Sequence, residues 1–371
     1  MDTTPVYSVR LSDTERRTLQ NFEHALDYTF SEEDLQFLET NGYLVLRGII
    51  PAEDIDQLVQ EALSYVRKTG INIQDPSTWH LMPQGLGVFD IWHTPTYNRL
   101  RQHPLLYSVF AQLLKTGNLT VSVDRISLKA PCVDEQQAAQ HADTNANLRL
   151  HTDLNFWHAD PQQPVYQGGL CLQDCPVGGG GFFCVPGFHR PEVIEQYKQR
   201  VESGEYGHPG SVKPPPRITF CRFWDQHLAN AEKVEVPMNK GDFVIWNNNL
   251  PHNGGRNSLL MPWPADQAKN RLKNWRMHAF IMFVPLDGPF TNPDNLEFYT
   301  QYQKETRDAI LSGGTPVHFA TMNSTEDSGG KEIPGGFTKV NPADLTELGK
   351  RLLGNPNSSD ARGKSTFRPK S

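Results

Sequence analysis

The chain has 371 residues with a formal net charge of −7, and 37% of its residues are hydrophobic. This length allows a large buried core, while the acidic balance argues against a nucleic-acid-binding protein and against attachment to membranes through a basic surface. The sequence has no apolar run as long as a membrane span, no signal peptide, and five cysteines without a Cys-x-x-Cys pair, which argues against a disulfide framework and a structural zinc site. We therefore expect a soluble, cytoplasmic protein.

The first part of the chain predicts two helices around one strand. Residues 1–30 are polar and charged and form an N-terminal extension to which we assign no site. Ser31 precedes a run of acidic residues, a pattern typical of a helix N-terminus, and the apolar residues 43–50 predict a strand. A second helix follows Pro51, so we expect the helices between residues 31 and 67 to pack on the outside of a β-rich core.

Residues 70–100 are irregular and rich in aromatic side chains, including Trp79, Phe89, Trp92 and Tyr97. Aromatic residues on a loop either line a pocket for an organic substrate or pack against the core as a cover. The sequence leaves both alternatives open.

From residue 119 onwards the pattern changes to short apolar strands separated by turns. The predicted strands cover residues 119–129, 169–174, 182–186, 234–238, 243–246 and 276–285. We expect the fourth and fifth of them to form a hairpin around Gly241-Asp242, which delivers the chain to His252. Many short strands without helices between them are typical of an antiparallel barrel or jelly roll, so we expect one mainly β domain over residues 31–290, with flanking helices.

The sequence beyond residue 290 indicates a C-terminal extension, and we assign no functional site to it. Residues 296–311 predict one helix, inside a helical and irregular C-terminal extension at 291–353. The composition of residues 354–371 is typical of a disordered tail.

Three His-x-Asp triplets are candidates for a metal site, and they begin at His141, His151 and His158. The first lies in a polar segment without a strand pattern, and the third runs into Pro-Gln-Gln-Pro, which predicts a turn. The triplet at His151 follows an alternating apolar and polar run and precedes a Phe-Trp pair. Residues two apart on a strand point to the same side, so the side chains of His151 and Asp153 can converge on one ion.

Two imidazoles and one carboxylate make the facial triad that holds non-haem Fe(II). The third ligand has to come from far along the chain. We expect it to be His252, which stands in Asn-Leu-Pro-His-Asn-Gly-Gly after a predicted strand. The candidate catalytic metal ligands are therefore His151, Asp153 and His252.

A set of short segments occurs in a recognisable order along residues 31–286. The segments are Phe37–Gly48, Leu128–Pro131, His151–Asp153, Leu172–Asp174, Cys184–Arg190, Lys240–Trp246, His252 and Arg276. Each segment alone is generic, whereas the ordered set is specific. In this set and order the chain resembles the phytanoyl-CoA dioxygenase family of Fe(II)/2-oxoglutarate oxygenases.

The resemblance implies a double-stranded β-helix, which is a cupin-like jelly roll. It also implies that His151, Asp153 and His252 bind Fe(II) and leave open positions for 2-oxoglutarate and O₂. The activity it implies is hydroxylation, or desaturation, of a small to mid-sized organic substrate with release of succinate and CO₂. The alternative is a protein of the same fold that is catalytically inactive or binds metal without 2-oxoglutarate, because a fold does not determine a function.

The far carboxylate of 2-oxoglutarate requires a cation, best a guanidinium that forms two parallel hydrogen bonds with it. The resemblance places this arginine on the strand after the distal histidine, where Arg276 begins the last predicted strand. Arg276 lies 24 residues beyond His252, a wider spacing than the family's, and we expect residues 259–272 to be the loop insertion that accounts for it. Arg256, in a Gly-Gly-Arg-Asn turn, is the alternative.

Lys129 and Gln167 are the further residues that we expect at the cosubstrate. Lys129 matches the family's lysine near 2-oxoglutarate, although a lysine that ends a strand commonly extends into solvent. Gln167 is within reach of the cosubstrate, or else is an ordinary polar residue at a strand end. Some members of the family have a hydroxyl residue two positions after the distal histidine, where this chain has Gly254, so a bond from that hydroxyl is absent or replaced here.

Overall fold

A computed structural model describes most of the chain. It describes residues 28–83, 87–158, 165–207, 213–214, 220–223, 225–228, 231–262, 272–286, 296–314 and 344–354. The α-helices in this part of the chain are α1 (Glu32–Asn41), α2 (Ala52–Lys68), α3 (Pro95–Leu100), α4 (Pro104–Leu114), α5 (Glu135–Ala146), α6 (Pro191–Glu202), α7 (Leu296–Ser312) and α8 (Glu347–Leu352). The strands are β1 (Tyr43–Leu46), β2 (Val88–Phe89), β3 (Leu119–Lys129), β4 (His151–Thr152), β5 (Tyr166–Cys171), β6 (Phe182–Cys184), β7 (Cys221–Arg222), β8 (Val234–Val236), β9 (Phe243–Asn247), β10 (His252–Gly254) and β11 (Arg276–Pro285).

Two antiparallel sheets form the centre of the molecule. The first has the strand order β1-β9-β5-β11-β3-β2, and the second has the order β7-β4-β10-β6-β8. Their inner faces share apolar residues, since Phe182 and Val236 of the second sheet pack in one cluster with Val244 and Trp246 of the first. The central strands form two four-stranded faces, β9-β5-β11-β3 and β4-β10-β6-β8, which is the topology of a double-stranded β-helix. The prediction of a jelly roll with flanking helices is thus confirmed.

The hairpin predicted for residues 234–246 is wrong, although the turn within it is present. β8 pairs with β6, whereas β9 pairs with β1 and β5, so the two strands lie in different sheets. The reason is the carboxylate of Asp242, which accepts hydrogen bonds from Arg47, from the backbone N–H of Gly48 and from that of Asn239. These bonds tie the turn to the end of β1, so that the chain crosses from one sheet to the other.

The helix predicted to begin after Ser31 is confirmed, and Ser31 caps its N-terminus. The Ser31 hydroxyl accepts from the N–H of Asp34, and the Asp34 carboxylate accepts from the N–H of Ser31. β1 is shorter than the predicted strand, because the chain turns at Gly48, where φ is +57°. The second helix is α2, and seven of its side chains are buried on one face.

The aromatic segment before α4 packs as a cover on the core. Phe89 and Tyr97 are fully buried, and Trp92 is nearly so. Trp79 packs edge to face on Trp275, with ring centroids 5.0 Å apart. Of the two alternatives for residues 70–100, the covering role applies to all four aromatic side chains.

Helices α5 and α6 interrupt the region after residue 119 in which we expected strands alone, and α4 lies just before that region. α4 is buried on almost every side, and α5 buries only Asn145, so neither carries the apolar stripe by which a helix is recognised in a sequence. The helix predicted at 296–311 is present as α7. α8 packs on β3, where Thr120 donates to the carbonyl of Leu352.

The predicted extensions lie largely outside the described residues. The structure does not describe residues 1–27, 315–343 and 355–371. The expected disordered tail at residues 354–371 therefore lies almost entirely outside the described residues. None of the described helices is both long enough and apolar enough to cross a membrane. All five cysteines are described, and each is buried as a free thiol.

Candidate metal centre

His151 and His252 occupy facing positions on neighbouring strands of the five-stranded sheet. β10 pairs with β4 in antiparallel register, which sets His252 opposite His151 with ring centroids 4.7 Å apart. His252 is buried, stacks on Phe182 and contacts Trp246, whereas His151 is partly exposed. Two imidazoles on one face of adjacent strands can share one ion.

Asp153 follows β4 and is positioned by the loop that precedes His252. Its backbone N–H donates to the carbonyl of Asn248 at 3.0 Å. The same loop is folded by a bond from the N–H of Asn249 to the side chain of Asn247, at 2.8 Å. The Asn-rich segment between β9 and β10 therefore fixes the carboxylate relative to the distal histidine.

The three side chains converge on one point. Oδ1 of Asp153 lies 3.5 Å from Nε2 of His151, and Oδ2 lies 3.3 Å from Nε2 of His252. Nδ1 of His252 donates to the carbonyl of Leu250 at 2.8 Å, and this bond holds the ring with Nε2 facing Asp153. Burial raises the pKa of Asp153, but His252 and His151 outweigh that effect and hold it below its usual range, so the carboxylate is ionised.

The other two triplets do not contribute to this centre. His141 lies on α5, and its Nδ1 donates to the carbonyl of Asn257 at 2.6 Å. His158 is exposed, with Nε2 3.3 Å from the carbonyl of Pro214, and Asp160 lies outside the described residues. In the described part of the chain, only the triad of His151, Asp153 and His252 brings three such ligand atoms within 4.8 Å of one another.

A cavity of about 160 Å³ lies beside the triad, between the two sheets. Besides the triad, its walls include Val88, Asp124, Arg125, Lys129, Gln167, Phe182, Trp246, Gly254, Arg276, His278 and Phe280. The walls combine apolar side chains with a few polar and charged ones, which is the usual composition of a site for a small molecule.

Lys129 is buried at one end of this cavity and does not extend into solvent. Its Nζ donates to the carbonyl oxygens of Gly254, at 3.0 Å, and of Gly255. A Cβ at position 254 would lie 3.2 Å from that Nζ, so the glycine leaves room for the ammonium group. Burial, and then the charge of Arg276, lower the pKa of Lys129 well below its usual range.

Arg276 lies beside Lys129 and is also buried, with 4% of its surface exposed. It is the first residue of β11 and pairs in register with Lys129 of β3. Nη1 donates to the hydroxyl of Ser127, and Nη2 donates to Nδ1 of His278 at 3.1 Å. Among the described residues, neither Arg276 nor Lys129 forms a salt bridge with an acidic side chain, so two buried cations lie together without a carboxylate.

The remaining candidates for the cosubstrate differ in position. Gln167 on β5 lines the cavity and pairs in register with Trp246. Arg256 does not line it, and its backbone is held by Asn145, whose side chain bonds both the N–H and the carbonyl of Arg256. The structure thus brings Lys129, Gln167 and Arg276 to one cavity. Most of the proposed insertion, residues 263–271, lies outside the described residues.

Four buried polar atoms on the cavity wall have no hydrogen-bond partner among the residues that the structure describes. They are Oδ2 of Asp153, Nε1 of Trp246, Nε of Arg276 and Nε2 of His278. Buried polar groups normally have a hydrogen-bond or ionic partner. The carboxylate oxygen could bind a cation, and the three N–H groups could donate to acceptor oxygens of a ligand. The residues present therefore fit a metal cation together with an oxygen-rich anion.

A β-bulge shapes the other end of the cavity. The pairing of β11 with β3 shifts between Ala279 and Ile281, and the hydroxyl of Tyr97 contacts the carbonyls of Arg125 and Phe280 there, at 3.2 and 2.5 Å. Bulges re-aim side chains next to functional sites. Here the bulge is supported from behind by a buried tyrosine, while Arg125 and Phe280 line the cavity.

The glycine run at residues 178–181 supports the loop after His252. The carboxylate of Glu235 accepts three backbone N–H bonds from this run, at 2.7, 3.0 and 3.2 Å. At Gly180, φ is +73° and a Cβ would lie 2.6 Å from the backbone of Arg256. Glycine is required there because any side chain would separate the two loops.

His278, Trp246 and Arg125 are cavity residues that the sequence analysis did not identify. The signal that could have found them is strand alternation. His278 is two residues after Arg276, and Arg125 is four residues before Lys129, so each shares a face with a candidate that the sequence did provide.

Comparisons with known proteins agree with this geometry. The family model described as Phytanoyl-CoA dioxygenase (PhyH) matches residues 38–258, which include the triad and end before Arg276. A Dictyostelium discoideum protein named after phytanoyl-CoA dioxygenase is 24% identical over 276 residues, covering 63% of this chain and 73% of that protein. The human peroxisomal phytanoyl-CoA dioxygenase is 21% identical over 248 residues, covering 64% of this chain and 68% of the human protein.

Solved structures show the same fold at low sequence identity. The GlcNAc-inducible gene 2 protein of Candida albicans is 16% identical with a TM-score of 0.58, and the alignment covers 89% of this chain and 77% of the Candida chain. A hypothetical protein of Escherichia coli, also 16% identical, has a TM-score of 0.54 and covers 91% of this chain and 84% of its own.

Proposed function

Because the chain belongs to the phytanoyl-CoA dioxygenase family, we propose that it is an Fe(II)- and 2-oxoglutarate-dependent oxygenase. It hydroxylates, or desaturates, a small to mid-sized organic substrate and releases succinate and CO₂. The observation that carries this proposal is the combination, in one cavity, of a His-Asp-His triad and two buried cations without an acidic partner.

His151, Asp153 and His252 hold the iron. Two imidazoles and one carboxylate suit Fe(II), and these three side chains would hold the ion beside the cavity. The bound metal supplies the oxidative chemistry, with O₂ and 2-oxoglutarate, that amino-acid side chains lack. The buried Oδ2 of Asp153 accepts no hydrogen bond from the described residues, which supports a cation at this position.

Arg276 and Lys129 bind the far carboxylate of 2-oxoglutarate. Burying a cation without a counter-ion costs free energy. An anion bound at this end of the cavity would therefore stabilise both Arg276 and Lys129. The guanidinium of Arg276 orients the carboxylate through paired hydrogen bonds, whereas Lys129 adds a point charge. Gln167, on the neighbouring strand β5 of the same sheet, contributes a polar contact to the cosubstrate and helps to fix its orientation.

The packing around the centre excludes water and holds the ligands in place. Phe182 and Trp246 cover the ring of His252, and the Asn248 carbonyl holds the backbone of Asp153. Ligands that are fixed before the cosubstrate binds need no reorganisation during the reaction. We place the substrate at the end of the cavity formed by Arg125 and Phe280, away from Arg276 and Lys129.

The test is succinate formation by the purified protein with Fe(II), 2-oxoglutarate and a panel of small organic compounds. We expect succinate only when both iron and 2-oxoglutarate are present, and more of it with an accepted substrate. The Asp153→Ala protein is the control, since it keeps the fold and loses the metal. Metal binding with no succinate from any compound of the panel would favour the alternative of a jelly-roll protein without 2-oxoglutarate chemistry.

A further inference from the structure

We propose that His278 is a third residue that binds the far carboxylate of 2-oxoglutarate, through a hydrogen bond donated by its Nε2–H. This inference rests on the proposed function and adds a contact that the sequence motifs do not contain. It assigns a role to a buried histidine that is not a metal ligand.

The position of His278 places it at the carboxylate end of the cavity. It is two residues beyond Arg276 on β11, and residues two apart on a strand share a face. It pairs in register with Ser127 of β3, the residue that accepts the other bond from Arg276. Only 2% of its surface is exposed, and it lines the cavity.

The bond between His278 and Arg276 determines which ring nitrogen carries the proton. Nη2 of Arg276 lies 3.1 Å from Nδ1 of His278, and a guanidinium can only donate. Nδ1 is therefore the acceptor, and the proton of the neutral ring is on Nε2. Burial, followed by the charges of Arg276 and Lys129, lowers the pKa of His278 well below its usual range, so the ring stays neutral.

The Nε2–H of His278 is a buried donor that lacks an acceptor. No atom of the described residues accepts from it, and leaving such a group unpaired costs free energy comparable to the loss of a hydrogen bond. Beside it lie two buried cations. A carboxylate can accept the hydrogen bond from Nε2–H and also neutralise the positive charge of Arg276 and Lys129.

His278 also accounts for the missing hydroxyl at position 254. A Cβ at Gly254 would lie 3.2 Å from Nζ of Lys129 and 3.4 Å from Nη2 of Arg276. A side chain at that position would press on the ammonium group of Lys129 and contact the guanidinium of Arg276. The third donor to the carboxylate therefore comes from β11, on the opposite sheet.

The test compares two substitutions that separate the roles of the two ring nitrogens. In His278→Gln the longer side chain can donate near the position of Nε2, whereas in His278→Asn the amide oxygen can accept from Arg276 near the position of Nδ1. Binding of 2-oxoglutarate to the Mn(II)-loaded proteins is measured by calorimetry, with 2-oxobutyrate, which lacks the far carboxylate, as the matched ligand. Mn(II) affinity and melting temperature serve as controls for the metal site and the fold.

We expect the Asn variant to bind 2-oxoglutarate about 10- to 100-fold more weakly than the wild type. The Gln variant should remain within a few fold, and 2-oxobutyrate should bind all three proteins alike. If the Asn variant keeps its affinity and the Gln variant loses it, His278 only positions Arg276, and the inference is overturned. A wild-type protein that binds 2-oxobutyrate as tightly as 2-oxoglutarate overturns the carboxylate site itself, and one that binds neither overturns the proposed function.

Discussion

Lys129 of β3 and Arg276 of β11 stand directly opposite each other in an antiparallel pair, so two buried cations share one end of the cavity. Their hydrogen bonds go to neutral acceptors, namely two glycine carbonyls, a serine hydroxyl and a histidine nitrogen. The like charges of paired residues on neighbouring strands repel each other, and the low dielectric of a buried site strengthens the repulsion. An anion that fits between the two groups would therefore be stabilised by both charges.

Replacing Arg276 should separate cosubstrate binding from metal binding. We expect Arg276→Ala to raise the KM for 2-oxoglutarate by roughly 100-fold or more, with iron affinity little changed, because a buried carboxylate loses its paired hydrogen bonds. Arg276→Lys should raise this KM less than Arg276→Ala does but should not restore the wild-type value, since an ammonium group cannot form the paired hydrogen bonds of a planar guanidinium. The measurement is the 2-oxoglutarate dependence of succinate formation.

Arg256→Ala is the matched control for that experiment. Its side chain does not line the cavity, and we expect the KM for 2-oxoglutarate to change by no more than a few fold. A large increase for Arg256→Ala together with a small one for Arg276→Ala would move the cosubstrate site to the loop after His252.

Alanine at His151, Asp153 or His252 should remove iron and succinate formation together. The melting temperature of the metal-free protein should change little, because the two sheets are held by their apolar faces. Iron content after anaerobic loading and gel filtration measures the effect. His141→Ala and His158→Ala are the controls, and loss of iron from either of them, with iron retained by His151→Ala, would mean that a different triplet binds the metal.

Binding of 2-oxoglutarate should be linked to proton uptake at Lys129. Burial and Arg276 lower the pKa of this lysine well below its usual range, and a carboxylate bound beside it favours the charged form and raises the pKa again. Between those two pKa values binding takes up a proton, so the Kd for 2-oxoglutarate should increase as the pH rises through that window. The titratable or charged groups that act on Lys129 are Arg276, Cys175, Arg256 and Glu235.

Calorimetry in two buffers of different ionisation enthalpy measures this proton uptake at constant pH. Lys129→Met, which keeps the apolar stem and removes the titrating group, should abolish the difference between the buffers. An identical difference for Lys129→Met and the wild type would assign the proton to another residue.

Tyr97→Phe should destabilise the protein without affecting the metal. The hydroxyl contacts two bulge carbonyls, those of Arg125 and Phe280, which the substitution leaves buried without this donor. We expect a loss of about 1–3 kcal/mol in the free energy of unfolding, measured by denaturant titration. Tyr107→Phe, which removes a bond to the carbonyl of Gly117 at a partly exposed position, should cost less, and equal losses would argue against a special role for the bulge.

The three residues proposed as metal ligands could be selected from the sequence because strand alternation and motif order are local properties. His151 and Asp153 are two residues apart, and His252 follows a strand and a turn that the pattern shows clearly. The register that faces His252 with His151 depends on the pairing of two strands a hundred residues apart, which no local pattern contains.

The crossing between sheets could not be predicted for the same reason. The turn at Gly241 is real, and a turn between two strands ordinarily indicates a hairpin. Here the Asp242 carboxylate binds Arg47, almost two hundred residues away, and that tertiary contact decides which sheet β9 joins. The donor role proposed for His278 likewise depends on a bond to its neighbour, which the sequence does not show.

The contact between the glycine run 178–181 and the loop after His252 has a consequence for protein engineering. Side chains at Gly180 or Gly255 would meet backbone or ring atoms of the facing loop, so libraries that vary these positions would chiefly recover unfolded or metal-free variants. Val88, Arg125 and Phe280 lie on the cavity wall away from this contact. We expect substitutions at those three positions to change which compound the proposed oxygenase accepts, while the unchanged loop contact keeps His151, Asp153 and His252 in place.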